Sequence, residues 1–273
     1  MDNILKNISN NVPVADNEYI GDDGLFHCAV CKKATQTRVE IPLLGKSSIV
    51  RCICDCKRKE LEAHKEQEHQ EEMARQRRIC FAETNMANWT FENDDRRSPK
   101  HSDAMQNYVA DFKEYKRDGM GLLLLGPVGT GKTYYAACIA NALLGKGYKV
   151  KMTNFASIAN DLWSCDDKSE YMRALNRYSL LILDDLGIER STDFMKEQIF
   201  SIVDGRYRSG LPMVVTSNLT WEQLTKTDDI SYQRIFDRVL ERCHPIKIDG
   251  ASRRRQNVRE TMKSMNERLG LSN

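Results

Sequence analysis

The segment Gly126-Pro127-Val128-Gly129-Thr130-Gly131-Lys132-Thr133 constrains this chain more than any other, because it matches G-x-x-x-x-G-K-[ST] at every fixed position. Its glycines let backbone N–H groups close around phosphate oxygens, and a helix beginning near Lys132 aims its positive end at them. Lys132 is placed to neutralise the β- and γ-phosphates, and Thr133 to offer a hydroxyl to Mg²⁺. Such a loop needs a strand before it and a helix after it. Residues 122–125 are a run of leucines suited to a buried strand, and residues 134–144 form an apolar helical segment that stops at Gly145. The sequence therefore predicts a site for ATP and Mg²⁺ at a strand-to-helix junction.

The same alternation continues. Residues 148–153 read as a strand, 155–163 and 168–177 as helices, and 180–183 as a strand ending in Asp184-Asp185. A helix is expected from Thr192 to Ser209, closed by Gly210, then a strand over 213–217 and another over 245–248. Thr220 and Gln223 have the capping-box spacing for a short helix. Upstream, Asp94, Asp95 and Pro99 mark a loop, after which Met105, Tyr108, Val109, Phe112 and Tyr115 fall at helical spacing. Strands alternating with helices imply an α/β core with a parallel sheet covered on both faces.

A length of 273 residues with 41% hydrophobic content is enough for such a core and a small appended module. The net charge of +2 does not single out nucleic acid as a partner, so any basic surface has to be local. With no run of about 18 apolar residues and no basic-then-hydrophobic N-terminus, the expectation is a soluble cytoplasmic protein with no membrane partner.

Two further groups fit phosphate chemistry. Asp184 is positioned to hold Mg²⁺ through water, and Asp185 to orient or deprotonate an attacking water. Asn218 follows the 213–217 strand and can reach the same water from a neighbouring strand end. Arg234, Arg238 and Arg242 recur at i, i+4 and i+8 beside apolar Ile235, Phe236, Val239 and Leu240. On a helix they form an arginine stripe, open to pairing with Asp237 and Glu241 or to reaching the γ-phosphate of a neighbouring subunit.

Five of the nine cysteines crowd into residues 28–56. Cys28-x-x-Cys31 followed by Cys52-x-Cys54-x-Cys56 offers five thiols where tetrahedral Zn²⁺ takes four. Cys28, Cys31, Cys54 and Cys56 are the expected ligands, with Cys52 as the alternate and the adjacent His27 a bystander. A closed set of four thiolates makes the metal structural. Residues 57–78 are almost wholly charged or polar and rich in helix formers, which predicts a solvated helical connector. The expected division is 1–79 for the zinc module and connector and 80–273 for the nucleotide-binding domain.

From about Trp89 to Arg255 the motif order resembles the DnaC and DnaI-like helicase loaders and the related IstB transposition ATPases, all of the AAA+ type. The residues that carry the likeness are Gly126 to Thr133, the run Leu180-Leu-Ile-Leu-Asp-Asp-Leu-Gly187, Arg206-Tyr207 before Pro212, Thr216-Ser-Asn218, and the arginine helix. The resemblance implies the AAA+ sensor arrangement, in which an extra strand, here residues 148–153, stands between the phosphate loop and the Mg²⁺ strand and a polar residue, here Asn218, follows the next strand. It aligns the arginine finger with Arg242, Arg238 being second choice, and a second sensor arginine with Arg254. Near residues 251–253 the chain departs from the family, lacking an acidic residue and an aromatic expected there. The resemblance also implies ATP-dependent self-association, single-stranded DNA held by the core around residues 154–177, and docking of the N-terminal module on a DnaB-type replicative helicase hexamer.

Overall fold

The computed structural model describes residues 17–41, 46–82, 85–187 and 193–271. The chain divides into two compact units, Met1–Glu72 and Met73–Asn273.

In the first unit, β1 (Glu18–Ile20) pairs antiparallel with β2 (Phe26–Cys28), and β3 (Gln36–Ile41) with β4 (Lys46–Arg51). The helix α1 (Asp55–Phe81) crosses from the first unit into the second; its polar residues 57–72 are exposed, and in its second-unit part Met73 is half-buried while Cys80 and Phe81 are buried in the core.

The second unit contains α2 (Pro99–Ala110), α3 (Phe112–Asp118), β5 (Gly121–Leu125), α4 (Lys132–Gly145), β6 (Val150–Asn154), α5 (Phe155–Ser164), α6 (Lys168–Leu175) and β7 (Leu180–Leu186). After these come α7 (Asp193–Ser209), β8 (Met213–Ser217), α8 (Trp221–Thr225), α9 (Ile230–Arg242), β9 (Cys243–Lys247) and α10 (Arg253–Leu269). Pro99 is the first residue of α2 and not part of the preceding loop. Its fixed φ and missing N–H suit that position, where no intrahelical bond is made. The expected helix through Tyr115 is two helices meeting at Asp111, and Tyr115 is partly exposed, its ring stacked on Tyr108. Thr192, expected to open α7, lies outside the described residues. The capping box is present: Gln223 N–H donates to Thr220 Oγ1 and Thr220 N–H to Gln223 Oε1.

The five strands pair in the order β6-β7-β8-β5-β9, all parallel. Alternating side chains explain the two-sided cover. Leu122, Leu124, Leu180, Ile182 and Val214 pack on one face with Tyr135, Ile139 and Leu143 of α4 and Met105 and Tyr108 of α2. Leu123, Leu125, Leu181, Leu183 and Val215 pack on the other with residues of α5, α7 and α9. Each fully buried leucine contributes roughly 1.5–3 kcal/mol of transfer free energy.

β7 runs past residue 183, where the sequence pattern ends it. Its pairing register with β8 slips between Leu183 and Leu186, and Asp185 has φ +60°. Leu186 consequently lies on the same face as Leu181 and Leu183, which strict alternation forbids. A left-handed conformation is uncommon for a residue with a Cβ, so strain is concentrated at one acidic residue.

Candidate functional site

The carboxyl ends of β5, β7 and β8 meet at one edge of the sheet, and β8 separates the other two. A cleft of about 470 Å³ opens there. Its lining includes Val128, Gly129, Gly131, Lys132, Thr133, Asp185, Asn218 and Arg254. At Gly126 the backbone has φ +149° and passes so close to the carbonyl of Ile248 that a Cβ would collide with it, so glycine is required by both conformation and space.

Lys132 is 4% exposed. Its ammonium donates to Gly126 O at 2.8 Å, Pro127 O at 2.9 Å and Asn218 Oδ1 at 2.6 Å. Burial holds it below the usual lysine range, and Asp185 and Asp184 pull it back up. The other end of the Asn218 amide faces Asp185 Oδ1 at 3.4 Å, so Asn218 bridges the phosphate-loop lysine and the second acid of β7.

Asp184 is buried and accepts from the Thr216 hydroxyl at 2.6 Å, while Thr216 Oγ1 accepts from Asp185 N–H at 2.9 Å. One hydroxyl of β8 thereby holds the Asp184 carboxylate and the Asp185 backbone across the register slip. Burial raises the Asp184 carboxyl above its usual range; hydrogen bonds from Thr216 and Thr133 and the charge of Lys132 oppose the shift, and Asp185 adds to it. The meeting of Thr133 and Asp184 supplies hard oxygen donors of the kind Mg²⁺ takes beside nucleotide phosphates.

Thr216 carried only motif weight in the sequence, yet its hydroxyl opposes the effect of burial on Asp184. Since its hydrogen bond favours the carboxylate, Thr216→Val raises the Asp184 pKa further. If Asp184 holds Mg²⁺, its ionised form is the one that binds, and the acidic limb of the pH–rate profile for ATP hydrolysis then moves to higher pH. A profile superimposable on that of the unsubstituted protein would remove Thr216 from this role.

Arg253 and Arg254 both line the cleft. Arg253 is engaged: its guanidinium is 3.2 Å from Asp95 and 3.7 Å from buried Asp94 and donates to Tyr135 Oη at 3.3 Å, and its N–H donates to Gly129 O at 2.9 Å. Arg254 has no such anchor among the described residues, and its charge acts on Lys132. Trp89, Asn93, Asp95 and Arg97 line the cleft as well. Sequence reasoning missed these four because a loop has no period to show which side chains turn inward.

On α9 the arginines separate. Arg238 Nε donates to Asp204 Oδ1 at 2.6 Å, and its guanidinium stacks over Phe200 and Tyr207. Its partner is on α7 and is neither Asp237 nor Glu241, since α9 packs its arginine stripe along α7. Arg234 also lies over Phe200. Arg242 rests over Tyr207 at 4.9 Å, and its Nε has no hydrogen-bond partner among the described residues.

In the first unit the thiols of Cys28, Cys31, Cys54 and Cys56 all lie within 4.8 Å of one another. Tetrahedral Zn²⁺ with bonds of about 2.3 Å requires sulfur separations of about 3.8 Å, which this cluster fits. Backbone N–H groups of Cys56 and Lys33 hold the Cys31 thiol down to about 6, and those of Cys31 and Val30 lower Cys28. Cys52 lies outside this group, its thiol donating to Ala34 O at 3.5 Å. His27 stands aside, bonded to Asp23 at 3.0 Å.

The strand order, with β8 inserted between the phosphate-loop strand and the acidic strand, and the cleft at the strands' carboxyl ends together define an AAA+ P-loop NTPase. The chain belongs to the family of IstB-like ATP binding proteins, whose sequence model matches residues 58–261. It is similar to the replicative helicase loader DnaI of Bacillus subtilis, 30% identical over 181 residues, which are 60% of this chain and 58% of that protein. An ATP-binding protein of an insertion sequence in Mycobacterium tuberculosis is 28% identical over 172 residues, 60% of this chain and 68% of that one. The replicative helicase loader DnaC of Escherichia coli is 27% identical over 157 residues, 56% and 63% of the two chains. Among solved structures, the crystal structure of DnaI matches with a TM-score of 0.55 at 25% identity, over 66% of this chain and 99% of that one. The resemblance read from the motifs is thus borne out. Among the described residues no helix is long and apolar enough to cross a membrane.

Proposed function

We propose that this protein is an ATP-dependent loader of a replicative helicase, in which residues 80–273 bind and hydrolyse ATP and residues 1–79, folded around Zn²⁺, dock on the helicase hexamer. The observation that carries the reading is the likeness to the loader DnaI, which extends over nearly all of its solved structure. The thiol cluster ahead of the nucleotide core fits the docking role.

In this reading the loop amides from Gly126 to Thr133 and the Lys132 ammonium bind the phosphates, and Thr133 and Asp184 hold Mg²⁺. The bound cation offsets charge on the β- and γ-phosphates. Asp185 accepts a proton from the water that attacks the γ-phosphorus, the bond to the β-phosphate oxygen breaks, and ADP and phosphate leave. Asn218 keeps Asp185 and Lys132 in register with that water. Arg254 senses the γ-phosphate from within the chain, and Arg242, lacking the carboxylate that ties down Arg238, completes the site of a neighbouring copy. Arg242→Ala leaves ATP affinity unchanged and lowers turnover in assemblies by about a thousandfold, the low end for arginine fingers. An equal loss in dilute monomers would place Arg242 in its own subunit's site.

Single-stranded DNA runs along α5 and α6, where Trp163 is 77% exposed beside Phe194 and offers a stacking surface for a base. Two of the nearby acids are occupied internally, Asp161 by the Tyr171 hydroxyl and Asp167 as the cap of α6.

The test is capture of the hexameric replicative helicase of the same host by the full chain, with ATP and with ADP, beside a Cys28→Ser/Cys31→Ser variant. Capture that the double substitution abolishes while ATP turnover persists is the expected result. A second reading, an ATPase that assists a transposase, is favoured by the family's description and the insertion-sequence relative. Absence of helicase capture in either nucleotide, with capture of a transposase, would establish it instead.

A further inference from the structure

The C-terminal helix α10 is fixed where it begins, through the contacts of Arg253 with Gly129, Asp95 and Tyr135. Beyond that turn it presents apolar side chains to solvent: Val258, Met262, Met265 and Leu269 are 55%, 60%, 44% and 62% exposed. Their separations of four, three and four residues put all four on one stripe of the helix. A 3.5-residue repeat is the signature of a seam that packs against another helix, and the stripe is narrower than the broad apolar face with which a helix lies on a lipid surface.

Charge narrows the occupant. Past Arg253 and Arg254, which line the nucleotide cleft, the helix sequence has four basic residues and two acidic ones. Lys263 and Arg268 are exposed beside or behind the seam, and Glu267 lies on the opposite face. Pairing α10 with its copy would set like charges against each other, which is unfavourable. The Glu-rich part of α1 from a second copy has the complementary charge but no apolar stripe to fill the seam.

We propose that α10 is a docking helix for another protein, taking an amphipathic helix with an apolar seam and acidic flanks. The two methionines, flexible and polarizable, suit a surface that forms its packing on contact.

The experiment measures fluorescence anisotropy of labelled synthetic heptad peptides, of about four heptads with leucine at the seam positions, added to the full-length protein. One peptide carries glutamate at the flanking positions and the other lysine. The proposal expects the glutamate peptide to bind and the lysine peptide not to bind. Met262→Asp/Met265→Asp, at two exposed positions outside the nucleotide cleft, weakens the glutamate peptide at least about tenfold while ATP affinity, the folding control, is unchanged. No binding of the glutamate peptide, equal binding of both peptides, or undiminished binding to the variant would each overturn it. So would sedimentation with phosphatidylglycerol vesicles that the same substitutions abolish, which would assign the seam to a lipid surface.

Discussion

Lys132→Ala lowers ATP turnover at least about a hundredfold, the scale lost when one donor aimed at developing phosphate charge is removed. The ammonium is nearly sealed from solvent and is aimed by two loop carbonyls and Asn218. Its neighbours Asp184 and Asp185 are both acids, so without Lys132 the cleft brings carboxylates toward phosphate with the loop amides and Arg254 left to offset them. The loss therefore falls on ATP binding as well as on turnover. Steady-state hydrolysis and calorimetric ATP binding, each on purified variant protein, measure the two effects. Unchanged turnover in a folded variant would remove the site from this cleft.

Arg206→Met produces the largest loss of stability. Arg206 is fully buried, and its guanidinium donates to Pro212 O at 3.1 and 2.6 Å, Tyr178 O at 2.8 Å and Ser179 O at 3.2 Å. Those carbonyls stand just ahead of β7 and β8, so one side chain ties together the starts of the two strands whose far ends bear Asp184, Asp185 and Asn218. Burial pushes its pKa down to about 10, a sign that the ion is held by carbonyl dipoles at a desolvation cost. Methionine fills comparable space but leaves three buried acceptors unpaired, which costs about 3–5 kcal/mol. For a unit of this size the melting temperature falls by about 10 °C. Lysine does not rescue it, because a single ammonium cannot reproduce the planar fork. Urea unfolding measures the change at constant slope, and a loss below about 1 kcal/mol would mean that the three carbonyls find other donors.

The local elements and the thiol set were legible along the chain. The phosphate loop, the capping box at Thr220 and Gln223, the 213–217 strand and the expected four thiols of the cluster each depend on residues close in sequence, or on a ligand chemistry that spacing reveals. What depended on pairing at long range was not legible in the residues alone. The place of β8 between β5 and β7 is read from no motif or period, because strand order is decided by how whole faces are buried and leaves no periodic trace. The register slip at Asp184 and Asp185, the sharing of both acids by Thr216, and the Arg206 clamp arise once β7 and β8 lie side by side. Arg238 and Arg242 are equivalent on a helical wheel, and Asp204 on α7 separates them. The sequence determined which elements form and which chemical groups they carry. Only the tertiary structure decided which of those groups meet, because periodicity and capping act over a few residues whereas a shared hydrogen bond between strands requires the burial of the entire sheet.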